Sequence, residues 1–304
     1  MKYFSPLLPF LAGLTLLLFS NTLMELSIIN VIAQTILFAL VVCIPTWVTG
    51  RMSYVDIGWP WGLAVIGCLT FIFAEGADLR VAVVSVAYIF AGGRMGTEAI
   101  KMWRRGDLKT ELPRYEYQKR RWERAGKSNI KLVMQIEGIL QGIANMSFLA
   151  MPALIISSNP NSEISIFEII GLVIWLGAFG MESIADMQKH KFIAQMKAAG
   201  EKNKVCNIGL WKYSRHPNYF AEWMVWNGLV IAAIPSWIAL YNEENIVVWA
   251  LLAVGVLFAS KSMYTTLVYY TGAIPAEYYS VKKRPEYKAY QETTNIFFPG
   301  PNKK

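Results

Sequence analysis

Apolar runs long enough to cross a bilayer recur along almost the whole of this chain, and no other feature limits its fold so strongly. A spanning helix needs roughly 20 mostly apolar residues. The stretches 6–24, 27–48, 59–74, 79–93, 132–156, 165–185, 219–240 and 246–270 reach or approach that length, with short polar loops between them. Lipid offers no partner to a bare backbone N–H or C=O, so such segments cross as helices. The sequence predicts an all-α, polytopic membrane helix bundle of seven or eight transmembrane helices. The first run, "LLPFLAGLTLLLF" after Lys2, has the length of a signal peptide but no small-residue cleavage site follows it cleanly, so it is read as a helix. With no internal repeat and no long linker, residues 1–304 are expected to form a single integral membrane domain.

Charge gives the orientation. Short cytoplasmic loops collect Lys and Arg, while acidic residues contribute little. Residues 94–131 carry 12 of the 29 basic residues, 186–215 carry 7 and 281–304 carry 6. Eight crossings paired as hairpins place these segments on one side with Lys2 and Arg51. The opposite loops hold Glu25, Glu75, Asp78, Glu163, Glu243 and Glu244 with only Arg80 positive. Both termini and the basic loops are therefore expected to face the cytoplasm. The net charge of +8 is thus chiefly a topology signal and excludes nothing but a nucleic-acid reading. Gathered at one membrane face, the same charge attracts anionic lipid headgroups or a multiply charged ligand such as a nucleotide. Cys43, Cys68 and Cys206 lack metal-ligand spacing, and the only histidines are His190 and His216, so no metal site is expected.

Ionisable residues within a membrane helix are costly and usually mark function. Here they lie near the basic side. "RMSYVDIGWPWG" sets Asp56 just before a helix start, either as its cap or as part of a site. "GMESIADMQKHKF" sets Glu182 and Asp186 one turn apart, with Lys189 about a turn further on. "GLWKYSRHPNYFAEW" puts Arg215, His216, Asn218 and Tyr219 around Pro217, which suits a first helical position, and Glu222 one turn into that helix. Its open amides favour a phosphate or another anion, and Asn218 and Glu222 share a face. In the basic loop 104–127, Arg114 and Tyr115 follow Pro113 at a turn before a dense cationic run, most of which reads as a solvated, lipid-contacting face.

Five stretches together resemble the membrane proteins with a steroid 5-alpha-reductase-like C-terminal domain. They are "E..AD.QK..F" at 182–192, "GLWKYSRHPNYFAEW" at 209–223, "KKRPEYKAYQETTNIFFP" at 282–299, "VDIGWPWG" at 55–62 and the "RRGD...E.PRY" loop. The resemblance covers most of the chain beyond residue 50, with residues 1–50 matching as looser N-terminal helices and 51–304 as the core. It implies a seven-helix bundle in a bacterial inner membrane or an equivalent cytoplasm-facing membrane. It also implies NADPH in a cytoplasm-facing cavity and a lipophilic enone entering from the bilayer. Asp186, Asn218 and Glu222 then look like cofactor ligands, joined by Arg114 and Tyr115. Arg215, His216 and Tyr219 belong to the same motif, as ligands or as structural supports.

The match has departures. Where the steroid reductases carry a tyrosine acid one turn before an arginine, "YIFAGGRMG" has Arg94 but Ala91, and Tyr88 is the nearest tyrosine. Their glutamate partner corresponds to Asp56, and the glycine before the motif's glutamate is Ala221. The expected reaction is hydride transfer to the β-carbon of a conjugated carbonyl, with Asp56 and Tyr88 as the proton-donating pair. Two other classes stay open. A membrane methyltransferase of the isoprenylcysteine or phospholipid type also uses Arg-His-Pro before an aromatic residue, to bind S-adenosylmethionine, but follows it with an acidic pair where this chain has a single Glu277. A non-catalytic binding protein could keep the pocket without turnover. Sterol-like, polyprenoid and unsaturated-lipid substrates fit equally well.

Overall fold

A computed structural model of the protein describes residues 4–302. The protein is 79% helix, with no strand among the described residues. The helices are α1 (Leu8–Leu18), α2 (Met24–Phe38), α3 (Ile44–Thr49), α4 (Val55–Phe73), α5 (Asp78–Arg105), α6 (Pro113–Arg124) and α7 (Ile130–Met146). They continue as α8 (Met151–Ser158), α9 (Ile166–Ala198), α10 (Pro217–Ala239), α11 (Ile246–Thr265), α12 (Ala273–Lys283) and α13 (Tyr287–Thr293).

Among the described residues, seven helical runs are long and apolar enough to cross a membrane: Met24–Thr49, Met52–Phe73, Asp78–Arg105, Ile130–Ser158, Ile166–Ala198, Pro217–Asn242 and Ile246–Lys283. The first expected crossing is the shorter apolar helix Ser5–Leu18. Proline shapes the first long run. Pro45 cannot donate to the carbonyl of Val41, and a wide π turn over Ala39–Cys43 accommodates it between α2 and α3. The basic stretch expected to be a loop contains α6, which Pro113 starts at its first position.

The chain packs as two units. The first holds the described residues up to Ile170 together with Leu229–Ala259, and the second holds Gly171–Gly228 and the described residues from Ser260 onward. Each passage from one unit to the other falls inside a helix, in α9, α10 and α11. Although Gly171, Gly228 and the polar Ser260–Lys261–Ser262 stand at these points, helix runs through each of them without a loop, so the sequence reads as one domain.

In the first unit, α4 and α5 approach through small residues, as membrane helices do. A Cβ on Gly92 would stand 2.3 Å from the Pro60 carbonyl oxygen, whereas one on Gly93 would meet nothing within 4 Å. Gly92→Val is therefore expected to lower stability by roughly 1–3 kcal/mol in thermal unfolding of the detergent-solubilised protein. Gly93→Ala should leave it unchanged. Buried amides tie α2, α4 and α7 together. Gln34 donates to the Gly62 carbonyl at 2.8 Å, Asn145 to the Trp59 carbonyl at 3.1 Å and Asn30 to the Asn145 carbonyl at 3.1 Å. Two buried carboxylates fasten the segments around them. Glu168 receives Arg80 Nε at 2.6 Å, and Glu244 accepts from Ser20 Oγ at 2.5 Å and the Thr22 amide at 2.9 Å.

In the second unit, the polar motifs hold one another. Trp211 donates its indole N–H to the Ala185 carbonyl at 2.9 Å, and the Leu210 amide donates to Gln188 Oε1 at 2.9 Å. Lys189 lies 4.2 Å from the centre of the Trp211 ring. Gly209 permits this contact, since it has φ +52° and a Cβ there would stand 2.4 Å from the Gln188 amide. The C-terminal segment closes the unit. Arg215 N donates to the Asn295 carbonyl at 2.8 Å, Ser214 Oγ to the Phe297 carbonyl at 2.9 Å, and Gly300 N to the Tyr213 carbonyl at 3.1 Å.

Candidate functional site

Asp56 is the second residue of α4, and no side chain caps that helix at Tyr54. The carboxylate reaches sideways instead. It accepts from the Tyr115 hydroxyl at 2.5 Å and from Arg114 Nη2, both in the first turn of α6. One turn upstream, Glu111 repeats the arrangement in reverse. It accepts from the Met52 amide at 2.7 Å and the Ser53 hydroxyl at 2.5 Å, and pairs with Lys119 at 2.8 Å. Two carboxylates thus cross-brace the starts of α4 and α6.

Tyr115 is buried among Phe38, Val42, Met52 and Val55. Burial first, and then the neighbouring Asp56, push its phenol well above the ordinary tyrosine value, so it stays protonated. Tyr88, the expected partner of Asp56, is buried in α5 and gives its hydroxyl to the Leu149 carbonyl at 2.7 Å. The structure does not bring the expected pair together: Asp56 bonds to Tyr115 and Arg114, and the Tyr88 hydroxyl donates to backbone. Position 91 is Ala, and Tyr115 stands 59 residues from Asp56, so no local motif connects the two.

The second unit holds the remaining candidates. α10 starts at Pro217. In its first turn Asn218 donates to Asp186 Oδ1 at 3.1 Å. The other end of that amide, Asn218 Oδ1, is buried with no hydrogen-bond partner. A buried acceptor left bare is unfavourable by about 1–3 kcal/mol unless something completes it. Glu222 is buried one turn on, and Tyr219 lies flat against His216, ring centres 5.2 Å apart.

Arg215 and His216 are occupied. Arg215 forks onto Glu277, with Nε at 2.7 Å and Nη2 at 3.1 Å, and its Nη1 donates to the carbonyls of Gln291 (3.0 Å) and Thr294. His216 Nε2 lies 3.0 Å from the same carboxylate, and Gln291 adds a bond at 2.6 Å. Of the two roles left open for these side chains, ligand or structural support, their bonds are those of a support: they form an internal clamp joining the loop before α10 to α12 and α13. Glu277, which sequence reading used only as evidence against an acidic pair, is the hub. Its signal was a lone carboxylate within the apolar, aromatic run "TGAIPAEYY".

Burial holds the His216 imidazole below its ordinary value of 6.5, outweighing the Glu277 contact that favours the charged form. The unfolded state therefore takes up a proton first as pH falls, and stability present above about pH 6.5 is lost below it. Unfolding measured from pH 7.5 downward should show that loss, and His216→Gln should flatten it. Stability that rises on acidification would mean a charged His216–Glu277 pair.

Along α9 in the same unit, Leu176, Gly177, Gly180, Met181 and Ile184 line a shallow apolar groove of about 430 Å³ that ends at Gln188, Gly209 and Leu210. It lies within a membrane-crossing run.

The model of one family, described as protein of unknown function (DUF1295), matches residues 42–294. No curated protein and no solved structure matches the chain.

Proposed function

The chain belongs to the DUF1295 family, which is of the steroid 5-alpha-reductase-like kind, and from that membership and the site geometry we propose that it is an NADPH-dependent membrane reductase of a lipophilic conjugated carbonyl compound. The observation that carries this reading is the bare acceptor Asn218 Oδ1, buried in the first turn of α10 beside Asp186. An amide or hydroxyl donor of the cofactor would complete it. A helix N-terminus favours phosphate, and Asp186 with Glu222 offers carboxylates to ribose hydroxyls. When bound, NADPH supplies hydride to the β-carbon of the substrate. Arg215, His216 and Glu277 keep the start of α10 in position and touch no ligand in this scheme.

Within the first unit alone, we further propose that Asp56, Arg114 and Tyr115 form a group able to donate a proton to a carbonyl oxygen. Tyr115 holds its proton across the working pH range, Asp56 fixes its orientation and Arg114 holds Asp56. The apolar α9 groove suits an aliphatic or polycyclic substrate partitioned into lipid. The positive-inside rule supports a cytoplasmic position for the basic loops, on the side where NADPH is supplied.

The test is NADPH oxidation by the purified protein in lipid nanodiscs with a panel of lipophilic enones. Wild-type turnover should fall about 100-fold or more in Tyr115→Phe, as expected for removal of a general acid, and much less in Tyr88→Phe. Equal rates for wild type and Tyr115→Phe would remove Tyr115 from the reaction.

A further inference from the structure

The outward face of α6 takes no part in the candidate site. At 3.6 residues per turn, Tyr115, Gln118 and Trp122 fall on one side of this helix, and all three are buried. Arg120 and Arg124 fall on the opposite side and are exposed, with exposed Arg121 on one flank and half-buried Glu116 and exposed Glu123 on the other. The sequence before α6 adds exposed Arg104, Arg105 and Lys109.

Its depth follows from what the buried side touches. Tyr115 and Trp122 pack in one cluster with Phe38, Val42, Val133 and Met134. Phe38 and Val42 lie roughly 16 and 10 Å inside the end of the crossing run at Thr49, at 1.5 Å per residue. Met134 lies about one turn inside the start of α7. Helix α6 therefore packs alongside the end turns of runs long and apolar enough to cross a membrane, which sets it near headgroup level when those runs span a bilayer. Trp103, 55% exposed in the last turn of α5, is an aromatic of the kind found at that level.

A helix at headgroup depth with a buried, largely aromatic inner face and cations outward is complementary to negative charge at that depth. We propose that α6 is a docking face for the headgroups of anionic phospholipids, held chiefly by Arg120 and Arg124. Because the first turn of the same helix carries Arg114 and Tyr115 to Asp56, a headgroup bound on the outer face steadies the Asp56 clamp on the inner one. This holds whether or not the protein is a reductase, since it rests on α6 alone.

The test compares full-length protein in nanodiscs of phosphatidylcholine with protein in equal parts phosphatidylcholine and phosphatidylglycerol, reading amide hydrogen exchange over 113–124 and the lipid retained in native mass spectrometry. Wild type should retain phosphatidylglycerol preferentially and exchange α6 amides more slowly when it is present. Each cation near the surface is worth about fivefold in anionic-lipid affinity, so R120Q/R124Q should lower the preference about 30-fold and abolish the protection. Both side chains point away from the packed core, so the variant folds. K282Q/K283Q should behave as wild type. No preference in wild type, or an unchanged preference in R120Q/R124Q, would overturn the proposal. So would equal protection by inorganic phosphate in phosphatidylcholine alone, which would assign the face to a soluble anion.

Discussion

Glu277→Ala is expected to destabilise the detergent-solubilised protein by about 3–5 kcal/mol, the range for removing one partner of a buried ion pair. Arg215 and Glu277 each have only 7% of the side chain exposed, and Glu277 also receives His216 and Gln291. Its loss leaves a guanidinium in a buried site with only carbonyl partners. The removal is more harmful than the absence of the pair. Replacing both ends, Arg215→Met with Glu277→Leu, should recover much of the loss, because no uncompensated charge remains. Denaturant unfolding distinguishes these outcomes. Glu277→Ala within about 0.5 kcal/mol of wild type, the scatter of an ordinary surface change, would mean that the clamp does not hold this unit together.

Glu168→Ala should have an effect of similar size in the first unit. Arg80 is 3% exposed and directs Nε at 2.6 Å and Nη2 at 3.1 Å onto Glu168. Another bond of Nη2, to the Glu163 carbonyl, cannot neutralise its charge, and Nη1 has no partner at all. About 3–5 kcal/mol is again expected. Glu168→Gln should be milder, because an amide oxygen still accepts from the guanidinium and from the Ser165 amide, now 2.7 Å from the carboxylate. If Glu168→Gln and Glu168→Ala unfold alike, the charge and not the hydrogen bonding sets the loss. Both variants exceed Gly92→Val because a packing clash can relax partly, whereas a bare buried charge cannot.

The crossing helices were legible in the sequence because lipid imposes a length and a composition that little else satisfies. Their ends were less so. Asp56 reads as lying before a helix and lies inside one, because a turn over Met52–Tyr54 carries the helical run back past the apolar stretch. The 104–127 loop hid α6, whose amphipathic period is short and dominated by charge. Asp186 and Asn218 were each singled out through the family resemblance, but the bond between them joins two helices across 32 residues and no local spacing announces it. The clamp was not legible either. Arg215 and Glu277 are 62 residues apart, and nothing local to either says that the charge of one is spent on the other. A motif rich in cations at a helix start reads as an anion site until the distant carboxylate is found. The division into two units was invisible for a related reason, because each passage between them runs through unbroken helix.

The central claim is that the start of α10 holds NADPH. Its most direct test is binding of NADPH and, separately, of S-adenosylmethionine to the purified full-length protein, read as a ligand-induced thermal shift with Asn218→Ala and Asp186→Ala alongside. The account predicts stabilisation by NADPH alone, lost in both variants while their unliganded stability stays close to that of wild type. Stabilisation by S-adenosylmethionine alone would contradict it and make this protein a membrane methyltransferase.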